Sequence, residues 1–316
     1  MMRRAVAAWV AAVGLLATAG AQETTDKQQL QYSWKKGDKF ALVSKYAMSV
    51  KLDKVPEALQ GVLSDEPAAL KLEANLDVEV KEVAENGTAT LEGQWKTLTA
   101  KGHVMVNDVD FSYDAAKKTD KPEKKPEAGG ADGLPGLPNL EDTFRHAVQQ
   151  PVKIQVDRRG RMKVETGGKS REGMDWLFYS MNGLMGSLPA EKVGRGDKWK
   201  DEFKPSLPGA GAILDVKSAV ESTIVGEENA CLVIQSKFTV GGGGEKKDGD
   251  PSLAFKMKAS GEGEGKTLFD PKAGRLSKCQ HALKSRVEAE IPNPGGGDAI
   301  DLKATVKIDQ SNEIGK

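Results

Sequence analysis

Apolar and polar residues alternate along most of this chain with a period of two, the signature of strands that bury one face. Phe40, Leu42, Tyr46, Met48, Val50 and Leu52 occupy even positions, while Lys39, Lys45 and Lys51 occupy odd ones. The pattern returns at Ala230, Leu232, Ile234, Phe238 and Val240, and at Leu253, Phe255 and Met257. It returns again at Leu283, Val287, Ala289 and Ile291, opposite Lys284, Arg286, Glu288 and Glu290. Ile300, Leu302, Ala304, Val306 and Ile308 close the series. One face meeting a core and the other meeting water is the habit of antiparallel sheets. Lys39 to Leu52 as a single strand spans about 45 Å, far beyond the usual five or six residues. Strands of that length suit a strongly curved sheet or an open barrel.

Helical spacing is concentrated in one place, where Met174, Leu177, Phe178, Met181, Leu184, Met185 and Leu188 precede the terminator Pro189. Pro56–Leu63 and Glu141–Val148 are each long enough for two turns. Between Ala115 and Asn139 the composition changes to Lys, Pro, Glu and Gly without apolar periodicity, which predicts a flexible insertion. The expected architecture is therefore mainly antiparallel β, a strongly curved sheet or open barrel built from two similar halves, with a few packed helices.

The two halves show in paired markers that keep the same order. Gly37-Asp38-Lys39-Phe40 is answered by Gly196-Asp197-Lys198-Trp199. Asn86-Gly87-Thr88-Ala89 is answered by Glu228-Asn229-Ala230, and Asp157-Arg158-Arg159-Gly160 by Asp270-Pro271-Lys272-Ala273-Gly274. Turn chemistry accounts for each marker, because Asn-Gly and Asp-x-x-Gly stretches allow positive φ at a hairpin tip. Residues 22–189 and 190–316 are read as two β-rich halves of one domain, with the insertion at 115–139 in the first.

The segment Leu30-Gln31-Tyr32-Ser33-Trp34-Lys35-Lys36-Gly37-Asp38-Lys39-Phe40 resembles the opening of an exported bacterial β-rich family of unknown function. The strand pair around Val80 and Asn86-Gly87, the turn at Asp157–Gly160, and Leu188-Pro189 leading to Gly196-Asp197-Lys198-Trp199 extend the likeness over most of the chain. The resemblance implies an address and a β-rich fold; it carries over no catalytic residue.

The address also reads directly. Arg3 and Arg4 form a positive n-region, Ala5–Leu16 an apolar core, and Ala19-Gly20-Ala21 the small residues of a cleavage site. Residues 1–21 are thus expected to be a signal peptide, with a mature start at Gln22 and a secreted or periplasmic destination. The apolar run is short for a membrane span of about 20 residues.

With 46 basic and 46 acidic residues the 316-residue chain has no net charge, which removes the electrostatic footprint of a nucleic-acid binder. Three His and two Cys are too few for the usual Cys/His metal cluster. Gly167-Gly168-Lys169-Ser170 ends like a phosphate loop, but Lys163 stands where the first Gly belongs. Asp108-Val109-Asp110 begins like a calcium loop, but Tyr113 replaces its Gly and Thr119 its bidentate Glu. No Gly-x-Ser-x-Gly elbow occurs. No catalytic residue, metal site or cofactor is expected.

Two features remain. Cys231 and Cys279 would close a loop of about 48 residues, and a disulfide there contributes about 4 kcal/mol by chain entropy. Against it, Cys231 sits on the polar parity of its strand and Cys279 on the apolar parity, and opposite faces bridge only through a bulge or register change. No cationic helix end or neighbouring His is indicated to activate either thiol; His281, on the Cys279 face, reads as a satisfied core residue. The second feature is the soft apolar surface of Met174, Trp176, Phe178, Met181 and Met185. Laid into a curved sheet, it lines an apolar ligand cavity or simply completes the core. The functional expectation is a non-enzymatic exported protein that binds an envelope partner or an apolar, lipid-like ligand. A structural or interaction module with a filled core is the alternative, and an envelope hydrolase the weakest.

Overall fold

The computed structural model describes residues 27–57, 66–104, 107–117, 140–164, 187–203, 215–246, 255–291, 293 and 298–315. Eight long strands dominate: β2 (Lys39–Leu52), β3 (Ala68–Val83), β4 (Ala89–Val104), β10 (Asp215–Glu228), β11 (Cys231–Lys246), β12 (Phe255–Asp270), β13 (Arg275–Ile291) and β14 (Ile300–Gly315). Shorter pieces are β1 (Gln28–Gln29), β5 (Asn107–Asp114), β6 (Val152–Val156), β7 (Met162–Val164), β8 (Lys192–Val193) and β9 (Lys198–Phe203). The single helix among the described residues is α1 (Leu140–Val148), with Phe144 buried against Phe111 of β5. The Lys39–Leu52 alternation thus becomes one 14-residue strand.

Apart from the small β1–β8 pair, every strand joins one 12-stranded antiparallel sheet. Its order is β7, β6, β4, β3, β2, β14, β13, β12, β11, β10, β9, with β5 continuing the outer edge of β4 beyond β6. The expected curved or open-barrel architecture is the one found. Neighbours in the sheet are neighbours in sequence except where β4 takes β6 as well as β5 and at the centre, where β2 pairs with β14 from Leu42↔Ile314 to Leu52↔Ala304.

Curvature follows from two backbone bonds. Tyr32 N–H donates to the Arg158 carbonyl and Ser33 N–H to the Gly274 carbonyl, both at 2.8 Å. Arg158 lies in the β6–β7 turn and Gly274 in the β12–β13 turn. On a flat sheet β6 and β13 would stand about 24 Å apart, five strand spacings. Here a single extended chain, Leu30–Trp34, bridges their turns, so the sheet curls around it.

The segment also fills the end it crosses. Tyr32 stacks on Trp34 at 5.9 Å and meets the edge of the Phe269 ring at 5.5 Å, and Trp34 stacks on Phe40 at 5.6 Å. This closed end carries the short turns, and the core around Leu30, Leu76, Val80, Val156, Leu188 and Leu276 is packed against it.

The two edges of the curled sheet approach without a ladder between them. Leu188 N–H donates to the Arg159 carbonyl at 3.0 Å, and Arg159 Nε donates back to the Leu188 carbonyl at 2.9 Å. Arg159 Nη2 reaches Asp201 of edge strand β9 at 3.4 Å, Arg161 Nε reaches the same carboxylate at 3.7 Å, and the Ser187 hydroxyl donates to it. The seam of this open barrel is held by one backbone bond and by side chains, chiefly Arg159.

The two Gly-Asp turns share one construction. Gly37 and Gly196 have φ of +89° and +85°, the left-handed region open to glycine. Each glycine N–H donates to a carbonyl of the adjacent long strand at 2.8 Å, Val80 in one case and Ile224 in the other. Asp38 accepts from Lys35 N–H at 3.3 Å, and Asp197 from Gly194 N–H at 3.0 Å. That bond, followed by Lys27 at 3.0 Å, holds the Asp197 carboxyl below its ordinary pKa.

One expectation is corrected. Cys231 and Cys279 are both buried free thiols. Cys279 faces Thr267 and Thr267 faces Ile234, so the two cysteines lie two strands across and three residues along from each other. At about 4.8 Å per strand and 3.3 Å per residue that separation is twice what a disulfide tolerates. Of the other helical expectations, Glu141–Val148 corresponds to α1, while positions 58–63 of the Pro56–Leu63 stretch lie outside the described residues. So do positions 118–139 of the insertion; Ala115 to Lys117 form the turn after β5.

Candidate functional site

The curled sheet has two chemically opposite faces. On the convex side Lys45 pairs with Glu73 at 3.8 Å, Lys256 with Glu290 at 3.2 Å and Arg286 with Asp53 at 3.1 Å. Exposed pairs of this kind add little stability, but they show that this face meets water. Lysine or arginine facing lipid at a bilayer midplane costs about 2–4 kcal/mol per residue.

Among the described side chains, the inward positions of the eight long strands carry no Asp, Glu, Lys or Arg where the ladders run unbroken. Cross-strand register arranges them in levels. Leu70, Met48, Ile308, Leu283, Gly263, Phe238 and Val220 form one level. Val50, Val306, Ser285, Gly261, Val240 and Ser218 form the next level toward the end with the long connections. Below these, one level is polar: Leu72, Tyr46, Gln310, His281, Gly265, Ser236 and Ser222. The level deeper holds Ala74, Ser44, Asn312, Cys279, Thr267, Ile234 and Ile224.

A cavity of about 680 Å³ sits at the Tyr46–Gln310–His281–Gly265–Ser236 level and touches β3, β2, β14, β13, β12 and β11. Six strands share one volume only on the concave side of a curled sheet. Below this level the inward residues are buried, whereas Met48, Ile308, Leu283, Phe238, Val50 and Val306 are half-buried above it. Neighbouring chains crowd the inner face at β12. A Cβ on Gly263 would lie 2.3 Å from the Ala282 carbonyl oxygen, and one on Gly265 2.3 Å from His281 Cδ2. No side chain fits where neighbouring backbone and imidazole already stand.

The strand pattern reads His281 as a core residue, and its ring is largely buried, edge-on to Phe238 at 4.8 Å. Burial lowers its pKa to about 4, so the imidazole is neutral in ordinary conditions. It also stands beside the thiol that shares its face of the strand: Cys279 Sγ lies 2.9 Å from His281 Nε2 and 3.2 Å from Thr267 Oγ1. Burial raises the Cys279 pKa to about 12, with the Thr267 contact opposing it. A buried, protonated thiol beside a neutral imidazole does not supply a nucleophile. Among the described residues no group of three or more His, Cys, Asp or Glu is placed to hold a metal ion.

Met174, Trp176, Phe178, Met181 and Met185 lie outside the described residues. Apart from Tyr46 and His281, the alternation singles out none of the polar residues that line the concavity. Their signal in the sequence is a change of inward residue at one height, from Val, Leu and Ile to Tyr46, Gln310, Ser236 and His281. It becomes visible only when the register aligns the strands.

No family model matches this chain, and no curated protein matches it. Among solved structures, an outer-membrane channel of Pseudomonas putida aligns with 90% of this chain and 97% of its own at 7% identity and TM-score 0.23. A Bacteroides fragilis protein with a YmcC-like fold aligns with 91% and 98% at 9% identity and TM-score 0.16. Pseudomonas aeruginosa OccK2 aligns with 89% and 99% at 5% identity and TM-score 0.21. Likenesses this distant leave the reading to the geometry of this chain. Among the described residues no helix is long and apolar enough to cross a membrane.

Proposed function

We propose that this chain is an exported, non-enzymatic protein of the cell envelope that holds an apolar, lipid-like ligand against the inner face of its curled sheet. The observation that carries the reading is the uncharged inner face, half-buried above the cavity at Met48, Ile308, Leu283 and Phe238 and backed by a convex face of ion pairs. Concave, predominantly apolar sites with a few polar groups are where small ligands bind. The cavity of about 680 Å³ on the concave side gives room for one small ligand. We read the two Gly-Asp turns, alike in their hydrogen bonds, as the trace of an internal duplication.

A filled-core interaction module is favoured by the closed end, where Tyr32, Trp34, Phe40 and Phe269 pack ring against ring. One preparation separates the readings. Exported protein is expected to begin at Gln22, to release an apolar compound on solvent extraction, and to enhance the fluorescence of an apolar dye while folded. A folded protein that carries no extractable compound and takes up dye only on partial unfolding by urea would establish the module instead.

A further inference from the structure

The concavity differs in character along its depth, and the difference specifies a ligand. We propose that its polar level recognises an uncharged hydrogen-bonding head group, so that an amphiphile binds head inward with its chain along the apolar levels above. This inference rests on the ligand-binding reading and names the ligand class for the same site.

The polar level marks where the apolar levels above it give way to a polar floor that continues through Ser44, Asn312 and Thr267. Tyr46, Gln310, His281 and Ser236 share it, between Met48, Ile308, Leu283 and Phe238 on one side and Asn312, Cys279 and Thr267 on the other. Several of these groups are already committed: Ser236 bonds Ser222 at 2.8 Å, and Cys279 bonds Thr267 and His281. Asn312, directly below Gln310 on the same face, is not. It is 1% exposed, and neither its amide nitrogen nor its amide oxygen has a hydrogen-bond partner. The buried Tyr32 hydroxyl also lacks one. Buried polar groups in native proteins are nearly always paired. The open Asn312 amide lies one level beneath the cavity, whose own polar lining is Tyr46, Gln310, His281 and Ser236, so those side chains are the ones that meet a polar guest.

The guest carries no net charge. Charged residues that border the cavity, such as Lys45, Glu73 and Lys266, are exposed and of outward parity, so no inward side chain offers a counter-charge, and an unpaired buried ion is strongly disfavoured. His281 does not alter this, since it is neutral above about pH 4. The guest also has a chain. From Tyr46 to Leu52 the apolar inward positions continue for about 20 Å at strand rise, and Met48, Val50 and Leu52 along that path are half-buried.

The test compares three amphiphiles with one chain and different heads: a monoacylglycerol, a fatty acid anion and an alkylammonium. Each displaces an apolar dye from the full-length mature protein at a pH of about 7.5, well above the His281 pKa of about 4. The monoacylglycerol is expected to act at a concentration at least about tenfold lower than either ion, the factor of a single well-made hydrogen bond. Gln310→Leu is expected to narrow that preference by about tenfold, and Asn312→Leu to narrow it as well, with urea midpoints reporting that each variant is folded. Equal potency of the three heads, or a preference that survives both substitutions, would overturn the head-group inference while leaving ligand binding in place. Such a result would assign the open amide to ordered water alone. Failure of the wild type to bind the dye at all would overturn the ligand-binding reading itself.

Discussion

At the scale of single residues, His281 shows how one buried base couples folding to acidity. Its folded pKa, about 4, lies below the ordinary 6.5 because the imidazole is buried. Between those values the unfolded chain binds a proton that the folded chain does not, so stability falls as pH falls through that window. The loss amounts to about 3 kcal/mol once pH drops below 4. His281→Phe should flatten this part of the profile, which urea midpoints taken from about pH 7 down to about pH 4 would show; an unchanged slope would place the proton elsewhere. Cys279 behaves in the opposite sense: with its folded pKa raised to about 12 from 9, its contribution is intact below pH 9 and is lost as pH rises toward 12. Both shifts have one cause, the burial of polar groups on an inward face.

At the scale of elements, turns and seam do different work. Gly37 and Gly196 hold left-handed φ with no atom within 4 Å of where an added methyl group would stand, so alanine meets backbone strain there and no clash. Gly37→Ala and Gly196→Ala are each expected to cost about 1–2 kcal/mol, and to cost the same, because both glycines hold left-handed φ and donate one backbone bond to the adjacent long strand. Unequal losses in urea unfolding would show that the turns differ in the support they receive. The seam instead depends on Arg159, which binds the Leu188 carbonyl and Asp201 together. Charge-assisted bonds of this type are worth about 1.5–3 kcal/mol, so Arg159→Ala should lower stability by roughly that amount. Amide hydrogen exchange is expected to quicken first in β9 and β7, the edge strands beside the seam. Quickening spread evenly over the central β2–β14 pair would mean that the seam is not an independent unit.

At the scale of the whole molecule, the face of each strand was legible because alternation is a local property. Length was less so: the alternation stops at Val240 and Ile308, but β11 runs to Lys246 and β14 to Gly315. Lys39–Leu52 is one strand with Phe40, Leu42 and Tyr46 inward, as its pattern demands, and Asn229-Ala230 and Gly160 turn where turn chemistry places them. The charged convex face was likewise written in Lys45, Lys51, Arg286 and Glu288, which no folded interior would accept unpaired. Period-two patterning also placed Cys231 and Cys279 on different faces, and that was enough to weigh against their bridge. What no local pattern contains is register between strands far apart in sequence. The pairing of β2 with β14 depends on how the whole sheet order satisfies both edges of each strand at once. Curvature depends on Leu30–Trp34 reaching two distant turns together, and on β12 having no inward side chains at Gly261, Gly263 and Gly265. The polar level exists only because that register sets Tyr46, Gln310, His281 and Ser236 at one height from four strands. The sequence by itself therefore determined the elements and which way each residue faces, since those follow from the backbone's own period. Tertiary structure alone decided the cavity, because a cavity is made by residues whose neighbours are chosen by the fold and not by the chain.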